Sequence, residues 1–394
     1  MTGAEASQPG NASLSMIERL VGFDTTSHKP NLELIEFVRD TLSDLGVESV
    51  LVADETGAKA NLFATAGPEG EAGILLSGHT DVVPVEGQDW HSDPFKVTRI
   101  EDRLHGRGAA DMKSFIAVIL ALLPEFLERD LKTPLHLALS HDEEVGCIGV
   151  RRLLERHISG LEVKPKACIV GEPTEMKVVT GHKGKRSLRC HVRGHECHSA
   201  LAPSGVNAVE SAAELVAYLR RMSRRFQDQG PFDPAFEPPH TTLHTGTICG
   251  GTALNIVPRD CSFEYEIRHL PGDDAEAIQA ELKIFAVDTL APDMHAVDPG
   301  TGFRFAECSG FPGLDTPEDA AVTELAKALS GANATSKVSF STEAGLFSRA
   351  GIPAVVCGPG SIRQAHRPDE FITLEQVALC EAFMRRLADR ICQP

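Results

Sequence analysis

Short apolar runs alternate with amphipathic helical patterns along the first half of this chain of 394 residues, and this alternation limits the possible fold more than any other feature. Alternation of helices and strands is typical of α/β proteins, in which helices cover both faces of one sheet. The predicted elements are helices 13–21 and 31–45, the second ending at Gly46, strands 48–53, 61–66 and 73–77, helix 113–123 with Pro124 kinking or ending it, strand 134–140, helix 148–156 and strand 167–170.

The middle of the chain has a different order of elements. Strand 187–193, helix 206–221, strands 241–249 and 253–268, helix 274–289 and strand 303–308 follow one another as βαββαβ, which is the ferredoxin-like unit. The α/β pattern then returns with helix 318–329, strand 354–357 and a helix from Leu374. We therefore predict a three-layer α/β domain with a mixed sheet, in two parts at 1–183 and 309–394, and a ferredoxin-like domain at 184–308 inserted between them.

Charge and cysteine content narrow the class of protein. A formal net charge of −18 disfavours nucleic acid as a partner, because phosphate backbones are bound by clustered Lys and Arg. The ten cysteines show no CxxC pair, so we expect reduced thiols. The start of the chain has neither a basic segment nor an apolar stretch, and the longest apolar run, 115–123, is too short to cross a bilayer. We expect a cytoplasmic protein with no membrane partner.

Five short segments place residues that can bind metals close to the ends of predicted strands. In open α/β sheets the ligand crevice lies outside the carboxyl ends of the strands, so these segments are expected to converge there. They are His79 and Asp81 in SGHTDVVP, Asp111 in GRGAADMK, which opens a helix after a Gly-rich loop, Glu143 and Glu144 in SHDEEVG, Glu172 in VGEPTE, and His366 in GPGSIRQAHRPDE.

The donor types indicate two metal ions. Two histidines and three carboxylates are too many for one tetrahedral zinc ion, but they suit two divalent ions about 3.5 to 4 Å apart that share a carboxylate. We assign Asp111 as the shared ligand. One ion would also be held by His79 and Glu172, and the other by Glu144 and His366.

Three further acidic and basic residues receive roles beside the ions. Asp81 could accept the proton of the other imidazole nitrogen of His79. Because neighbouring side chains of an extended backbone point in opposite directions, Glu143 stays free when Glu144 binds metal, and it is the predicted general base. His198, in RGHECHSA of the inserted domain, could donate a hydrogen bond to a developing oxyanion.

Two residues on the predicted strand pair of the inserted domain, Asn255 and Arg268, are candidates for holding a substrate carboxylate, for which the guanidinium group is well shaped.

Each of the five metal-binding motifs, taken alone, has an ordinary structural explanation. HTD and GEP fit turns, DEE fits a helix N-terminus, and AHRPDE fits a surface loop. The occurrence of all five, in an order that completes a two-metal set, favours the functional explanation.

GHTDVVP, GRGAADMK, HDEEVG, GEPT, GHECHSA and the C-terminal histidine segment together resemble the dimetal amino-acylase and exopeptidase family over nearly the whole chain. The resemblance implies a dizinc hydrolase, with cobalt able to substitute, in which Glu143 is the acid and base. It implies that the inserted domain is a lid, that His198 serves the active site of the other subunit, and hence a homodimer through the lid. It also implies a cis peptide between Asp111 and Met112.

The segment STEAGLFSRAGIPAVVCGPGSIRQAHRPDEF resembles the branch of this family that releases acetate from N-acetyl-L-ornithine in arginine biosynthesis. For that substrate Glu343 is a candidate partner of the δ-ammonium group, or else a carboxylate that supports the metal-site loop, and Thr342 a candidate near the α-carboxylate. Alternatives are deacylation of another N-acyl amino acid, desuccinylation of succinyl-diaminopimelate, and dipeptide hydrolysis. A non-catalytic amino-acid-binding protein is disfavoured, because it would need neither Glu143 nor the five ligands.

Overall fold

The computed structural model describes residues 8–393. Residues 1–7, which carry part of the expectation about targeting, and residue 394 lie outside the described residues. The chain forms two compact units. Of the described residues, the first comprises 8–181, Leu314–Lys337 and 342–393, and the second comprises His182–Gly313 and Val338–Ser341.

The helices and strands are numbered in chain order. The helices are α1 (Asn11–Val21), α2 (Leu32–Asp44), α3 (Lys113–Leu127), α4 (Ile148–Arg156), α5 (Ala208–Gln229), α6 (Ala275–Ile284), α7 (Ala291–Val297), α8 (Ala321–Ser330), α9 (Ala344–Arg349) and α10 (Leu374–Ile391). The strands are β1 (Ser49–Ala53), β2 (Ala60–Ala66), β3 (Ile74–His79), β4 (Thr98–Ile100), β5 (Arg103–His105), β6 (Leu135–Ser140), β7 (Ala167–Pro173), β8 (Val178–His182), β9 (Gly184–Arg193), β10 (Thr242–Gly250), β11 (Asp260–His269), β12 (Gly302–Phe311), β13 (Leu314–Asp315), β14 (Thr335–Val338), β15 (Ala354–Gly358) and β16 (Phe371–Thr373).

A mixed sheet in the order β1-β2-β6-β3-β7-β15-β8-β13, with β14 beside β8, is the centre of the first unit. Its four middle strands β6, β3, β7 and β15 run parallel, whereas β1 pairs antiparallel with β2, β2 with β6, and β8 with β15. Every residue of the four parallel strands is buried. Because successive side chains point to opposite faces, such burial requires helices on both faces. The predicted three-layer α/β fold is confirmed.

The close approach of α3 to β7 depends on a glycine. A Cβ atom at Gly171 would lie 2.1 Å from the ring of Phe115 in α3. Gly171 directly precedes Glu172, so the packing that this glycine permits also sets the position of that carboxylate. A side chain at position 171 would push the helix away from the strand.

We expect Gly171→Ala to destabilise the protein by about 1 to 3 kcal/mol, the range found when atoms are added to a close-packed core. Urea unfolding followed by circular dichroism measures this free energy. The matched control is Gly160→Ala, since a Cβ atom there meets nothing within 4 Å. Equal stability of the two variants would contradict the prediction.

The second unit contains an antiparallel sheet in the order β10-β11-β9-β12. Buried and half-buried residues alternate strictly along β11, which shows that one face of the sheet packs on a core and the other does not. Helices α5, α6 and α7 contribute to that core. The order of elements is βαββαβ, so the predicted ferredoxin-like topology is confirmed.

Several predicted boundaries were wrong, among them the end of helix 206–221, which continues to Gln229. Strand 253–268 begins only at Asp260, because Pro258 has no N–H for a strand ladder and Leu254 is fully exposed. Helix 113–123 continues through Pro124 to Leu127, with Phe126 packed in the core. Helix 274–289 extends, through a π-helical turn, to Val297. Strands β4, β5, β13, β14 and β16 have only two to four residues, too few to show a period. Strand β8 was missed although it has five residues, all of them buried. None of the helices in residues 8–393 has the length and apolar content that a bilayer span requires.

Candidate metal centre

The four parallel strands of the first unit bring the predicted metal-binding residues to one edge of the sheet. His79 is the last residue of β3, Glu172 lies near the end of β7, Glu143 and Glu144 follow β6, His366 follows β15, and Asp111 directly precedes Met112 and α3. The peptide between Asp111 and Met112 is cis, as the family resemblance implied. The crevice expected at the carboxyl ends of the strands is therefore lined by these donors.

The two carboxylate oxygens of Asp111 face different histidines. Its Oδ1 lies 2.9 Å from His79 Nε2, and its Oδ2 lies 3.4 Å from His366 Nε2. His79 Nε2 is also 3.7 Å from Glu172 Oε1, and His366 Nε2 is 3.0 Å from Glu144 Oε1. Asp111 thus lies between a His79–Glu172 pair and a Glu144–His366 pair, which is the arrangement of a carboxylate shared by two ions.

These separations fit the donor set of a two-cation site. Two donors on one tetrahedral zinc ion lie about 3.3 Å apart, since each is about 2 Å from the ion. Among the described residues, His79, Asp111 and Glu144 have donor atoms within 4.8 Å of one another, and so have His79, Glu143 and Glu172. Imidazole and carboxylate donors of this kind suit Zn²⁺ and related divalent ions.

Asp81 contacts the site differently from our expectation. His79 Nδ1 lies 2.9 Å from the main-chain oxygen of Asp81 and 3.6 Å from its carboxylate. The carboxylate instead accepts hydrogen bonds from the amides of Glu143 and Glu144, at 3.0 and 3.3 Å, and from the Ser27 hydroxyl at 2.9 Å. The carbonyl of Asp81 therefore holds the proton on Nδ1 and leaves Nε2 free for a metal, while its carboxylate orients the Glu143–Glu144 peptide.

Glu143 has the surroundings of a group that exchanges protons. It is 9% exposed, and the buried Cys147 thiol donates a hydrogen bond to its Oε1 at 3.2 Å. Burial raises the pKa of Glu143 to about 8, because the charged form loses its hydration. A cation nearby would lower this pKa again by favouring the carboxylate.

The histidines are strongly perturbed by the carboxylates around them. Hydrogen bonds to Asp111 and Glu144 raise the pKa of His366 to about 10. Burial alone would lower the pKa of His79, but the hydrogen bond to Asp111 and the nearby carboxylates of Asp81 and Glu172 outweigh this and raise the pKa well above its usual value. The cation-free site therefore holds protons where the metals would bind.

Binding of Zn²⁺ to the cation-free protein is accordingly expected to release protons, with an affinity that rises with pH. A histidine binds metal only when neutral, and the raised pKa keeps His366 protonated below about pH 10. The apparent affinity should change by up to about tenfold per pH unit for each proton released. Calorimetry in two buffers that differ in ionisation enthalpy measures the protons. His366→Gln should release fewer, and a pH-independent affinity would contradict the prediction.

Glu343 lies beneath this edge of the sheet. It is 1% exposed, and its two oxygens accept hydrogen bonds from Ser77 of β3, at 2.5 Å, and from Ser140 of β6, at 2.8 Å. Thr342 is also buried, and its hydroxyl accepts a hydrogen bond from the Ala344 amide at 3.1 Å. Because both carboxylate oxygens are already engaged inside the protein, this placement favours support of the strands over contact with a substrate ammonium.

His198, Asn255 and Arg268 belong to the second unit. His198 is exposed, its Nδ1 accepts a hydrogen bond from the Ala200 amide at 3.1 Å, and the main-chain oxygen of Asn255 accepts one from Ser199 at 3.0 Å. Arg268 Nε lies 2.6 Å from Glu266 Oε1. His198 and Asn255 thus lie close together, and the guanidinium of Arg268 already has a carboxylate partner.

Sequence reasoning missed a buried ion pair beside Asp111. Arg107 and Glu370 are each 1% exposed and lie 2.6 Å apart, and Glu370 also accepts hydrogen bonds from the amides of Ala110 and Asp111. Arg107 lies in the segment GRGAADMK, and Glu370 lies in RPDE. Nothing local in the sequence indicates that they are buried together, since they are 263 residues apart.

Known proteins resemble this chain over most of its length. A family model described as "Peptidase family M20/M25/M40" matches residues 75–390. The acetylornithine deacetylase of Myxococcus xanthus is 35% identical over 381 residues, which are 95% of this chain and 96% of that protein. The acetylornithine deacetylase of Proteus mirabilis is 35% identical over 370 residues, 94% of this chain and 92% of that protein.

Solved structures of similar fold have lower sequence identity. An aminopeptidase of Bacillus cereus has a TM-score of 0.73 at 22% identity, with 97% of this chain and 98% of that chain covered. A metallo-carboxypeptidase of Sulfolobus solfataricus has a TM-score of 0.75 at 17% identity, with 97% and 100% covered. Human carnosine dipeptidase 1 has a TM-score of 0.69 at 17% identity, with 96% and 97% covered. These three likenesses concern the fold alone.

Proposed function

This chain belongs to peptidase family M20/M25/M40, and from that premise we propose that it hydrolyses N-acetyl-L-ornithine to acetate and L-ornithine. It is a metal-dependent hydrolase that acts on amide bonds. The observation that carries the proposal is the placement of Asp111 between two donor pairs, with Glu143 beside them. The substrate rests on relatives of 32 to 35% identity that are named acetylornithine deacetylase.

His79, Asp111, Glu144, Glu172 and His366 would hold the two cations. When bound, divalent cations lower the pKa of a water molecule and polarise an amide carbonyl. Glu143 takes a proton from the attacking water and passes it to the leaving amine nitrogen. Asp81 keeps Glu143 in place through its amide and fixes the tautomer of His79.

The second unit is proposed to act as a lid and as the surface of a homodimer. His198 would donate a hydrogen bond to the oxyanion that develops as the amide carbonyl is attacked. Asn255 and Arg268 would hold the α-carboxylate of the substrate, with the guanidinium turning from Glu266 toward it. Thr342 is proposed to lie near the same α-carboxylate.

We further propose Zn²⁺ as the native ion, with Co²⁺ able to substitute, since both accept imidazole and carboxylate ligands. The reaction would be a step of arginine biosynthesis in the cytoplasm. Support for a reducing compartment comes from the ten cysteines, all of which are free thiols.

Acetate release by metal-stripped protein, before and after addition of Zn²⁺ or Co²⁺, tests the proposal. The substrates are N-acetyl-L-ornithine, N-acetyl-L-methionine, succinyl-diaminopimelate and a dipeptide, each with its own product assay. Restored activity with preference for N-acetyl-L-ornithine supports the proposed substrate. Preference for another compound retains the metal chemistry and replaces the substrate, and inactivity toward all four favours an amino-acid-binding protein.

A further inference from the structure

We propose that Gln88, Arg107 and Glu370 form a hydrogen-bonded network that positions Asp111 and His366 and thereby sets the affinity for one of the two cations. We refer to these three residues as the Arg107 network. The inference rests on the proposed two-cation function. It assigns positioning roles to residues that are not among the proposed metal ligands.

Glu370 connects the network to Asp111. Its Oε1 accepts hydrogen bonds from the amides of Ala110 and Asp111, at 2.9 and 3.1 Å. Its Oε2 accepts from Arg107 NH1 at 2.6 Å, within a pair in which each side chain is 1% exposed. A charged acceptor on two successive amides fixes the orientation of the peptide that carries the shared carboxylate.

Gln88 connects the network to His366. Its Oε1 accepts hydrogen bonds from Arg107 NH2 at 2.6 Å and from Trp90 Nε1 at 3.0 Å, and its Nε2 donates to the main-chain oxygen of His366 at 3.0 Å. Arg107 NH1 also lies 3.3 Å from the main-chain oxygen of Arg367. Gln88 and Arg107 therefore both hold the backbone of the segment that carries His366.

His366 depends on such main-chain contacts. Its side chain is 51% exposed, so packing does little to hold the imidazole in place. Its backbone has a φ of 63°, in the left-handed region that costs free energy for a residue with a Cβ atom. Hydrogen bonds from Gln88 and Arg107 thus supply the restraint that burial supplies to His79, which is 1% exposed.

The network should therefore act on the two cations unequally. The cation between Asp111, Glu144 and His366 has two of its donors held by the network. The cation at His79 and Glu172 shares Asp111, but its other two donors are held by β3 and β7. Loss of a network contact is expected to weaken mainly the first cation.

Gln88→Ala tests this without leaving a charge buried and unpaired, since Gln88 is half-buried and neutral. Metal-stripped wild type and variant are titrated with Zn²⁺ by calorimetry and chelator competition, and the thermal midpoint of each cation-free protein is recorded. One binding step should weaken by about tenfold, as is typical when a group that orients a ligand is lost, and the other should be unchanged. Asp89→Ala, a change of the exposed neighbouring residue, should leave both steps as in wild type.

A second variant, Glu370→Gln, retains an oxygen for the two amides but loses the ion pair with Arg107, and it should weaken the same step. Two outcomes in Gln88→Ala overturn the proposed role of the network. One is unchanged affinity at both binding steps. The other is equal weakening of both steps together with a lower thermal midpoint, which would indicate general destabilisation. Wild-type protein that binds fewer than two ions overturns the proposed function, and the network falls with it. The wild-type titration thus separates the two failures.

Discussion

Glu143→Gln is expected to lower kcat by about 10³-fold while two cations remain bound. An amide cannot take the proton of the attacking water, and loss of a general base costs about 10² to 10⁴ in rate. The change is nearly isosteric and removes no residue assigned to either cation. Steady-state kinetics with N-acetyl-L-ornithine and metal analysis of the purified variant measure the two quantities.

The same variant has an expected effect on the cation-free fold. Because burial raises the pKa of Glu143 to about 8 in the folded chain, its ionisation costs stability as pH rises from its ordinary pKa toward that value. A glutamine has no such cost, so at about pH 7 the cation-free variant should be at least as stable as wild type. Glu128→Gln, at an exposed position, is the control for kcat and stability. Retention of wild-type kcat by Glu143→Gln would remove Glu143 from the mechanism.

Asp111→Ala is expected to abolish both measurable turnover and binding of at least one cation. Its two oxygens face the two donor pairs, so this one substitution removes a donor from each of the two proposed cation sites. A ligand at a thousandfold excess over its Kd stabilises a protein by about 4 kcal/mol, which should appear as a rise of the thermal midpoint of wild type with Zn²⁺. The variant should show a much smaller rise.

Differential scanning fluorimetry of cation-free protein, with and without Zn²⁺, measures this difference. Asp102→Ala is the matched control, because Asp102 is an exposed aspartate in the preceding turn. An unchanged response of Asp111→Ala to Zn²⁺ would show that the shared carboxylate does not bind the ions.

Local patterns of the sequence were sufficient for most of the architecture. The period of apolar residues separates the α/β part from the βαββαβ part, because helical and extended backbones place their buried side chains at different spacings. The candidate donors could be recognised for a related reason. His79 ends a buried strand, Glu143 and His366 follow buried strands, and parallel strands present their carboxyl ends at one edge of a sheet.

Boundaries and short strands were predicted less well. The helix α3 passes through Pro124 because packing of its buried face outweighs the local effect of a missing N–H. The short strands such as β4 and β16 pair with segments distant in the chain, and three residues are too few to show a period.

By itself, the sequence determined the fold class, the ferredoxin-like insertion and the set of metal-competent residues, because these depend on periodicity and on residue types within short segments. Only the tertiary structure decided how that set is held. The Asp81 carboxylate binds the Glu143 and Glu144 amides, Glu343 lies beneath the strands, and Arg107 pairs with Glu370. The residues of the last two contacts, Ser77 with Glu343 and Arg107 with Glu370, are 266 and 263 positions apart. A hydrogen bond across such a separation depends on the packing of the whole sheet, and no local pattern reports it.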